Sequence, residues 1–156
     1  MSYADNTSVT PASSRDEIER TLGRFGADSF AYGHDATRAL VGFRAHGRNI
    51  RLTVEIPAVD DRRFTHTPTG RQRTPKQAQA ARQQEIRRLW RSLALMVKAK
   101  LEAVSSGIVD FETEWMPYVV LPGGQTVAEH LGPQLDAAYT TGQLPSGIAG
   151  LLGPGD

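Results

Sequence analysis

Residues 74–107 read TPKQAQAARQQEIRRLWRSLALMVKAKLEAVSSG, and this stretch predicts one long helix around which the remaining chain folds. Thr74 suits the N-cap, Pro75 falls at the first helical position, where its missing N–H costs nothing, and Gln77 completes a capping box. The glycine after Ser106 can adopt the left-handed conformation that ends a helix. We therefore predict a helix from Thr74 to Ser106, a rod of about 45 Å at about 1.5 Å per residue.

Apolar residues recur every three or four positions along the second half of this helix, from Ile86 to Val104. A stripe with this spacing is typical of a core face, so the helix is predicted to cover another element. Basic residues lie together on one flank of the helix, about a third of a turn from the stripe. They are Arg87, Arg91 and Lys98.

Three segments before the helix alternate apolar and polar residues, as half-buried strands do. We predict strands over residues 29–33, 38–45 and 49–56, with a tight turn at His46–Gly47 between the last two. A short helix that opens at Ser14 precedes them. The predicted fold class is α+β: a three-stranded antiparallel meander covered by one long helix, preceded by a short helix and followed by a small helical C-terminal part.

Length and composition predict one domain with polar ends. We expect residues 1–13 to form a disordered tail, residues 14–142 a single α+β domain, and residues 143–156 a flexible tail rich in glycine and proline. The chain has no cysteine, which excludes disulfides and thiolate zinc sites. No stretch approaches the roughly 18 apolar residues of a membrane span, so we expect a cytoplasmic protein without a membrane partner.

Charge is segregated along the chain, although the formal net charge is only +1. Residues 38–100 hold 15 Lys/Arg and 4 Asp/Glu, whereas residues 101–156 hold no Lys or Arg and 7 acidic residues. Such an asymmetry is typical of a segment that binds a polyanion. Charge pairing between two parts of one fold, or between copies of the chain, is the alternative, and a third is that the asymmetry has no functional meaning.

A loop predicted over residues 58–73 gathers arginines around one aromatic residue. This composition suits single-stranded nucleic acid, whose phosphates are neutralised by arginines and whose bases stack on aromatic rings. The outer face of the sheet and the basic flank of the long helix carry further basic residues. We therefore predict that the loop, the sheet face and the helix flank form one connected binding surface. The predicted nucleic-acid-binding residues are Arg62, Arg63, Phe64, Arg71, Arg73, Arg87, Arg91, Lys98, Arg44 and Arg51. An inert basic loop and an ordinary solvated sheet face are the alternatives.

Motifs of common enzymes are absent from the sequence. The four histidines lack metal-ligand spacing, and there is no phosphate-binding loop or nucleophile elbow. Asp110, Glu112 and Glu114 form an acidic cluster that could bind a hard cation in a metal-dependent hydrolase, but the acidic start of a short helix explains them better. We expect no enzymatic activity, no cofactor and no metal.

Three stretches carry a family resemblance: FGADSFAYGHDATRALVGFRAHGRNIRLTVEIP, RRLWRSLALMVKAKLEAVSSGIVDF and VLPGGQTVAEHLGPQLDAAYTTGQLP. Together, within residues 15–146, they resemble an uncharacterised family of small phage and prophage proteins frequent in actinobacterial viruses. The resemblance implies a phage gene product in the cytoplasm of a bacterial host cell and transfers no catalytic residue. In arrangement only, the chain also resembles phage single-strand annealing proteins and, because a helix precedes the strands, double-stranded RNA-binding domains.

We therefore predict a non-enzymatic nucleic-acid-binding accessory protein of phage recombination or replication, with single-stranded DNA as its ligand. A second copy of the chain, in a homo-oligomer, is one candidate partner, and the sequence leaves the oligomeric state open. The alternative function is a protein-interaction module that binds a host or phage protein, as an inhibitor or adaptor in host takeover. Its interface would combine the polar first half of the long helix, the acidic C-terminal part and the apolar residues Ile148, Leu151 and Leu152.

Overall fold

The computed structural model describes residues 4–143 and has the α+β fold class that the sequence predicts. A short helix precedes a three-stranded sheet, one long helix follows, and small helices complete the C-terminal part. The elements are α1 (Pro11–Arg24), β1 (Ser29–His34), β2 (Arg38–Ala45), β3 (Arg48–Glu55), α2 (Arg62–Thr65), α3 (Pro75–Ser105), α4 (Phe111–Trp115), a 3₁₀ turn (Met116–Tyr118) and α5 (Val127–Thr141).

The sheet is an antiparallel meander in the order β1-β2-β3, with Val41 of the central strand opposite Tyr32 and Leu52. His46 and Gly47 both have positive φ, 50° and 72°, as the two central residues of a type I′ hairpin turn require. This turn matches the right-handed twist of the two strands that it joins, so β2 and β3 pair along their whole lengths.

The inner face of the sheet packs against the apolar stripe of α3. Val41, Phe43, Ile50 and Leu52 are buried on the sheet side. Their counterparts on the helix are Trp90, Leu93, Ala94, Val97 and Leu101, which belong to the same core cluster. The prediction of a meander covered by one long helix is therefore confirmed.

The ends of α3 confirm the predicted signals. The Thr74 hydroxyl accepts a hydrogen bond from the Gln77 amide at 3.2 Å, and the Gln77 side chain accepts one from the Thr74 amide at 3.0 Å. Together these bonds form the capping box. Ser106 caps the last turn, and Gly107 follows with φ of 78°. Each end is decided by local hydrogen bonding, which explains why the sequence predicts it.

The first helix corrects a predicted boundary. It begins at Pro11 with Thr10 as its N-cap, so Ser14 is a buried residue inside the helix and not its cap. The prediction of a disordered tail through residue 13 is therefore wrong for residues 11–13. The residues before them also pack, because the Gln84 side chain donates to the carbonyls of Asp5 and Thr7. The signal was available, since Thr10-Pro11 repeats the Thr74-Pro75 pattern that starts α3.

Residues 58–73 are not an irregular loop, contrary to the prediction. Asp61 caps α2, where its carboxylate accepts from the amide of Arg63 at 2.8 Å, and His66 pairs with Gln72 in a single antiparallel bridge. The segment packs on α3 through α2. Phe64, the aromatic residue of this segment, is buried, with 4% of its surface exposed.

The C-terminal part attaches to the free side of β3. The Val120 amide donates to the carbonyl of Asn49 at 2.8 Å, and Val119 forms an isolated antiparallel bridge with Ile50. α5 runs without interruption through Pro133. No helix within residues 4–143 is long and apolar enough to cross a membrane. The tail predicted for residues 143–156 lies, beyond its first residue, outside the described residues.

Candidate nucleic-acid interface

The predicted basic residues lie on three different sides of the protein. Arg82, which is not among the predicted residues, marks the flank of α3 that faces the α2 segment, because it donates to the carbonyl of Pro57 at 3.1 Å. Arg91 forms an ion pair with Glu17 of α1. Nine residues separate Arg82 from Arg91, about two and a half helical turns, so they point in nearly opposite directions. Because α1 and α2 pack on opposite flanks of α3, and the outer sheet face lies on a third side, the prediction of one connected basic surface is wrong.

Two of the four arginines near α2 are engaged by their own segment. Arg63 forms an ion pair with Asp61 at 3.0 Å, and Arg73 donates to the carbonyls of Arg63 and Phe64 at 2.8 and 3.1 Å. Buried Phe64 cannot stack on a base, which corrects its predicted role. Arg62 and Arg71 are exposed, and neither has an ion pair within residues 4–143.

Acidic side chains from the C-terminal part neutralise several basic residues of the middle segment. The pairs are Arg48–Glu112 at 3.1 Å, Arg51–Glu129 at 2.8 Å and Lys100–Glu114 at 2.8 Å. The Thr126 amide and the Arg51 guanidinium lower the pKa of Glu129 below its usual value, since both stabilise the charged carboxylate. Pairing within the fold therefore explains part of the charge segregation, and it engages Arg51, a predicted nucleic-acid contact.

The acidic cluster that suggested a cation site is used in the same way. Asp110 caps α4, accepting from the amide of Thr113 at 2.9 Å, while Glu112 and Glu114 pair with basic residues. The Thr113 amide lowers the pKa of Asp110, as capping by a charged carboxylate requires. Among the residues that the structure describes, no group of three or more metal-ligating side chains could hold an ion.

A basic groove lies between α1 and α3, and we call it the α1–α3 groove. Arg20 and Lys98 line it, are exposed, and have no ion pair in the described part of the chain. Its volume is about 410 Å³. The groove and its rim carry the cations Arg20, Arg24, Arg91 and Lys98 and the acids Glu17 and Glu102. Four cations against two acids leave a surplus of positive charge on this surface.

The two acids differ in how strongly they hold their partners. Glu17 and Arg91 are half-buried and hydrogen-bonded, so this pair belongs to the packing of α1 on α3. Arg24 and Glu102 stand 4.0 Å apart with most of both side chains in solvent. An exposed pair of this kind contributes little and can be displaced by another anion. Arg87 is held by the neutral side chain of Gln84, at 2.6 and 3.0 Å.

Sequence reasoning identified the α3 side of this groove but not the α1 side. Arg87, Arg91 and Lys98 were predicted to share a flank of α3, and the structure confirms that this flank faces α1. Arg20 and Arg24 were missed because their segment is acidic in sum. Their spacing of four residues, which places both on one face of a helix, was the available signal.

A second feature of the surface is apolar. α5 has no buried residue, and one face presents Leu131, Leu135 and Tyr139 at 39, 56 and 87% exposure. The spacing of four residues aligns them along the helix. An apolar stripe on a well-capped surface helix is typical of a binding face.

No protein-family model matches this chain, and no match was found among curated proteins or solved structures. The resemblance to a phage protein family stays a prediction.

Proposed function

We propose that this protein is a non-enzymatic nucleic-acid-binding accessory protein of phage recombination or replication, and that the α1–α3 groove is its contact surface. One observation carries the proposal. Two packed helices place four cationic side chains along one groove, and Arg20 and Lys98 among them have no ion pair within residues 4–143. The phage setting comes from the family resemblance alone.

The dimensions of the groove suit a phosphodiester backbone. Arg91 and Lys98 are seven residues apart on α3, about 10 Å along the helix axis. One nucleic-acid strand with the axial spacing of B-DNA presents a phosphate about every 3.4 Å, so roughly three or four phosphates fall within this distance. Backbone contacts of this kind carry no sequence information.

Single-stranded DNA is the ligand that we propose, because a flexible strand can follow a short groove between two helices. The burial of Phe64 removes base stacking on that ring from the argument. The residues that line the groove, Glu17, Arg20, Thr21, Arg24 and Lys98, include no aromatic side chain. We therefore expect binding that depends on charge and differs little between sequences.

We expect the variant Arg20→Glu/Lys98→Glu to bind a fluorescently labelled single-stranded oligonucleotide about tenfold or more weakly than the wild type, measured by fluorescence anisotropy at about 0.1 M salt. The matched control is Arg44→Glu/Arg62→Glu, which reverses two exposed cations away from the groove that likewise have no ion pair within residues 4–143. It should lose less than about threefold, because charges more than about 10 Å away are screened at this salt concentration.

Salt dependence gives the same test a second readout. Three or four phosphate contacts predict that the logarithm of the association constant falls with the logarithm of salt concentration at a slope of about −2 to −3. Absence of binding at about 50 mM salt, or equal losses in the groove variant and its control, would contradict the proposal.

The exposed stripe of α5 favours the alternative function, a protein-interaction module. We expect Leu135→Asp/Tyr139→Asp to leave the thermal unfolding midpoint unchanged, because both side chains are exposed, and to abolish capture of one stoichiometric protein in a nuclease-treated pull-down. Ile108→Asp, at another exposed apolar position, is the control and should retain the captured protein. Equal capture by all three proteins would count against this function. The residues Ile148, Leu151 and Leu152, predicted to join such an interface, lie outside the described residues.

A further inference from the structure

The strand β1 has one edge paired and one edge open. Its pairing partner is β2, and nothing within residues 4–143 is hydrogen-bonded to its other side. The opposite border of the sheet differs, because the Val120 amide donates to the carbonyl of Asn49 on β3. The sheet therefore offers the whole outer edge of β1 to a further strand.

The hydrogen-bonding register identifies which backbone groups are open. The Asp35 amide donates to the carbonyl of its partner Arg38 at 2.9 Å, which marks this residue pair as a hydrogen-bonded one. In an antiparallel ladder such pairs alternate with non-hydrogen-bonded pairs. Phe30, Tyr32 and His34 are therefore the residues whose N–H and C=O groups point away from β2. They present three donors and three acceptors to the open edge.

This edge lacks the features that usually block strand addition. Natural sheets protect their edges with charged side chains, prolines or bulges. β1 reads SFAYGH and contains no Lys, Arg, Asp, Glu or Pro. The Tyr32 side chain at its centre is 51% exposed, and its ring lies 6.2 Å from that of Phe30. The edge thus combines free backbone groups with exposed aromatic surface.

We propose that two copies of this chain associate through β1, antiparallel and about a two-fold axis at Tyr32, to form a continuous six-stranded sheet. The three outward-facing residues determine this register. Centred on Tyr32, the pairing sets Phe30 opposite His34 of the partner subunit and Tyr32 opposite Tyr32 of the partner subunit, so every open group is used. Centring the axis on a neighbouring residue leaves at least one of the three without a partner.

A second copy fits this edge because the strand is complementary to itself under a two-fold rotation. Donors and acceptors alternate symmetrically about Tyr32, and β1 itself carries no charged side chain opposite its copy. The Arg15 guanidinium of α1 packs on the Tyr32 ring, 4.7 Å from its centroid, and is the charged group at the centre of this edge. Two-fold dimers with self-complementary interfaces are also the commonest soluble oligomers. The axis runs perpendicular to the sheet, so the helices of both copies lie on the same side of the six-stranded sheet.

A charge exchange at Tyr32 tests the proposal, because this residue faces its own copy. Light scattering after size-exclusion chromatography should give the wild type twice the chain mass of 17.0 kDa. Tyr32→Lys and Tyr32→Glu should each be monomeric, since like charges directly opposite each other repel. An equimolar mixture of the two variants should restore the dimer. Thr53→Lys, on the exposed outer face of β3, is the control and should remain dimeric.

Cross-linking supplies a second readout for the same register. The chain has no cysteine, so Tyr32→Cys introduces a single thiol. Opposed residues of a hydrogen-bonded antiparallel pair have Cα atoms about 5.5 Å apart, within disulfide range, so mild oxidation should give a covalent dimer. Thr53→Cys should not cross-link. A monomeric wild type at about 100 µM, a dimer that survives Tyr32→Lys, or a mixture of Lys and Glu variants that stays monomeric would overturn the proposal. None of these readouts depends on nucleic acid.

Discussion

Replacing Trp115 with alanine is expected to lower the free energy of unfolding by about 3–5 kcal/mol, the range for large aromatic residues in a core. Trp115 is fully buried and joins the C-terminal part to the sheet. Its ring meets Phe43 edge-on at 5.1 Å between centroids, and Tyr118 at 6.0 Å. Chemical denaturation followed by circular dichroism measures the loss.

The variant Trp115→Phe separates packing from hydrogen bonding at this site. The indole Nε1 is buried and has no hydrogen-bond partner within residues 4–143, and an unsatisfied buried donor costs about 1–3 kcal/mol. Phenylalanine removes that donor while keeping much of the aromatic contact. We therefore expect Trp115→Phe to cost less than about 1.5 kcal/mol. Equal losses of unfolding free energy for the phenylalanine and alanine variants would show that removing the unsatisfied N–H does not stabilise the protein.

Leu22→Ala is expected to destabilise the protein by about 2–5 kcal/mol, since it empties a buried site between α1 and the core. α1 is held to α3 by this residue and Ile18, together with the Arg91–Glu17 pair. The same denaturation experiment measures the change. The matched control is Leu135→Ala on α5, an exposed leucine whose loss should alter stability by no more than about 0.5 kcal/mol.

The consequence for binding distinguishes this variant from an ordinary core mutation. Arg20 and Arg24 reach the α1–α3 groove only while α1 is docked. If Leu22→Ala frees α1 locally, binding of single-stranded DNA weakens at temperatures where the sheet and α3 remain folded. Unchanged stability would contradict the structure of this interface. Unchanged affinity in a variant whose α1 is shown to be undocked would contradict the proposed groove.

Local signals made several elements predictable. The capping box at Thr74 determines the start of α3, and Gly107 its end, because both act through hydrogen bonds and φ angles of adjacent residues. The alternation along β3 and the His46–Gly47 turn determined the hairpin for the same reason. The start of α1 was missed although Thr10-Pro11 carries the same signal, since Ser14 with Glu17 offered a competing capping box.

The basic residues show what sequence periodicity leaves open. A helical wheel correctly groups Arg87, Arg91 and Lys98, because residues three, four or seven apart share a face whatever surrounds them. It does not say that α1 packs beside that flank with Arg20, or that α2 packs on the other. The burial of Phe64 was likewise unpredictable, since one aromatic residue in a polar segment has no period.

By itself, the sequence determined the three strands, the long helix, their order and the face that each turns to the core, because caps, turns and apolar periods act between residues close along the chain. Only the tertiary structure decided which charges meet. Arg51 pairs with Glu129 and Lys100 with Glu114 through contacts between segments distant in the chain. Such contacts depend on how whole elements pack, so the charge that remains available for a ligand is a property of the fold.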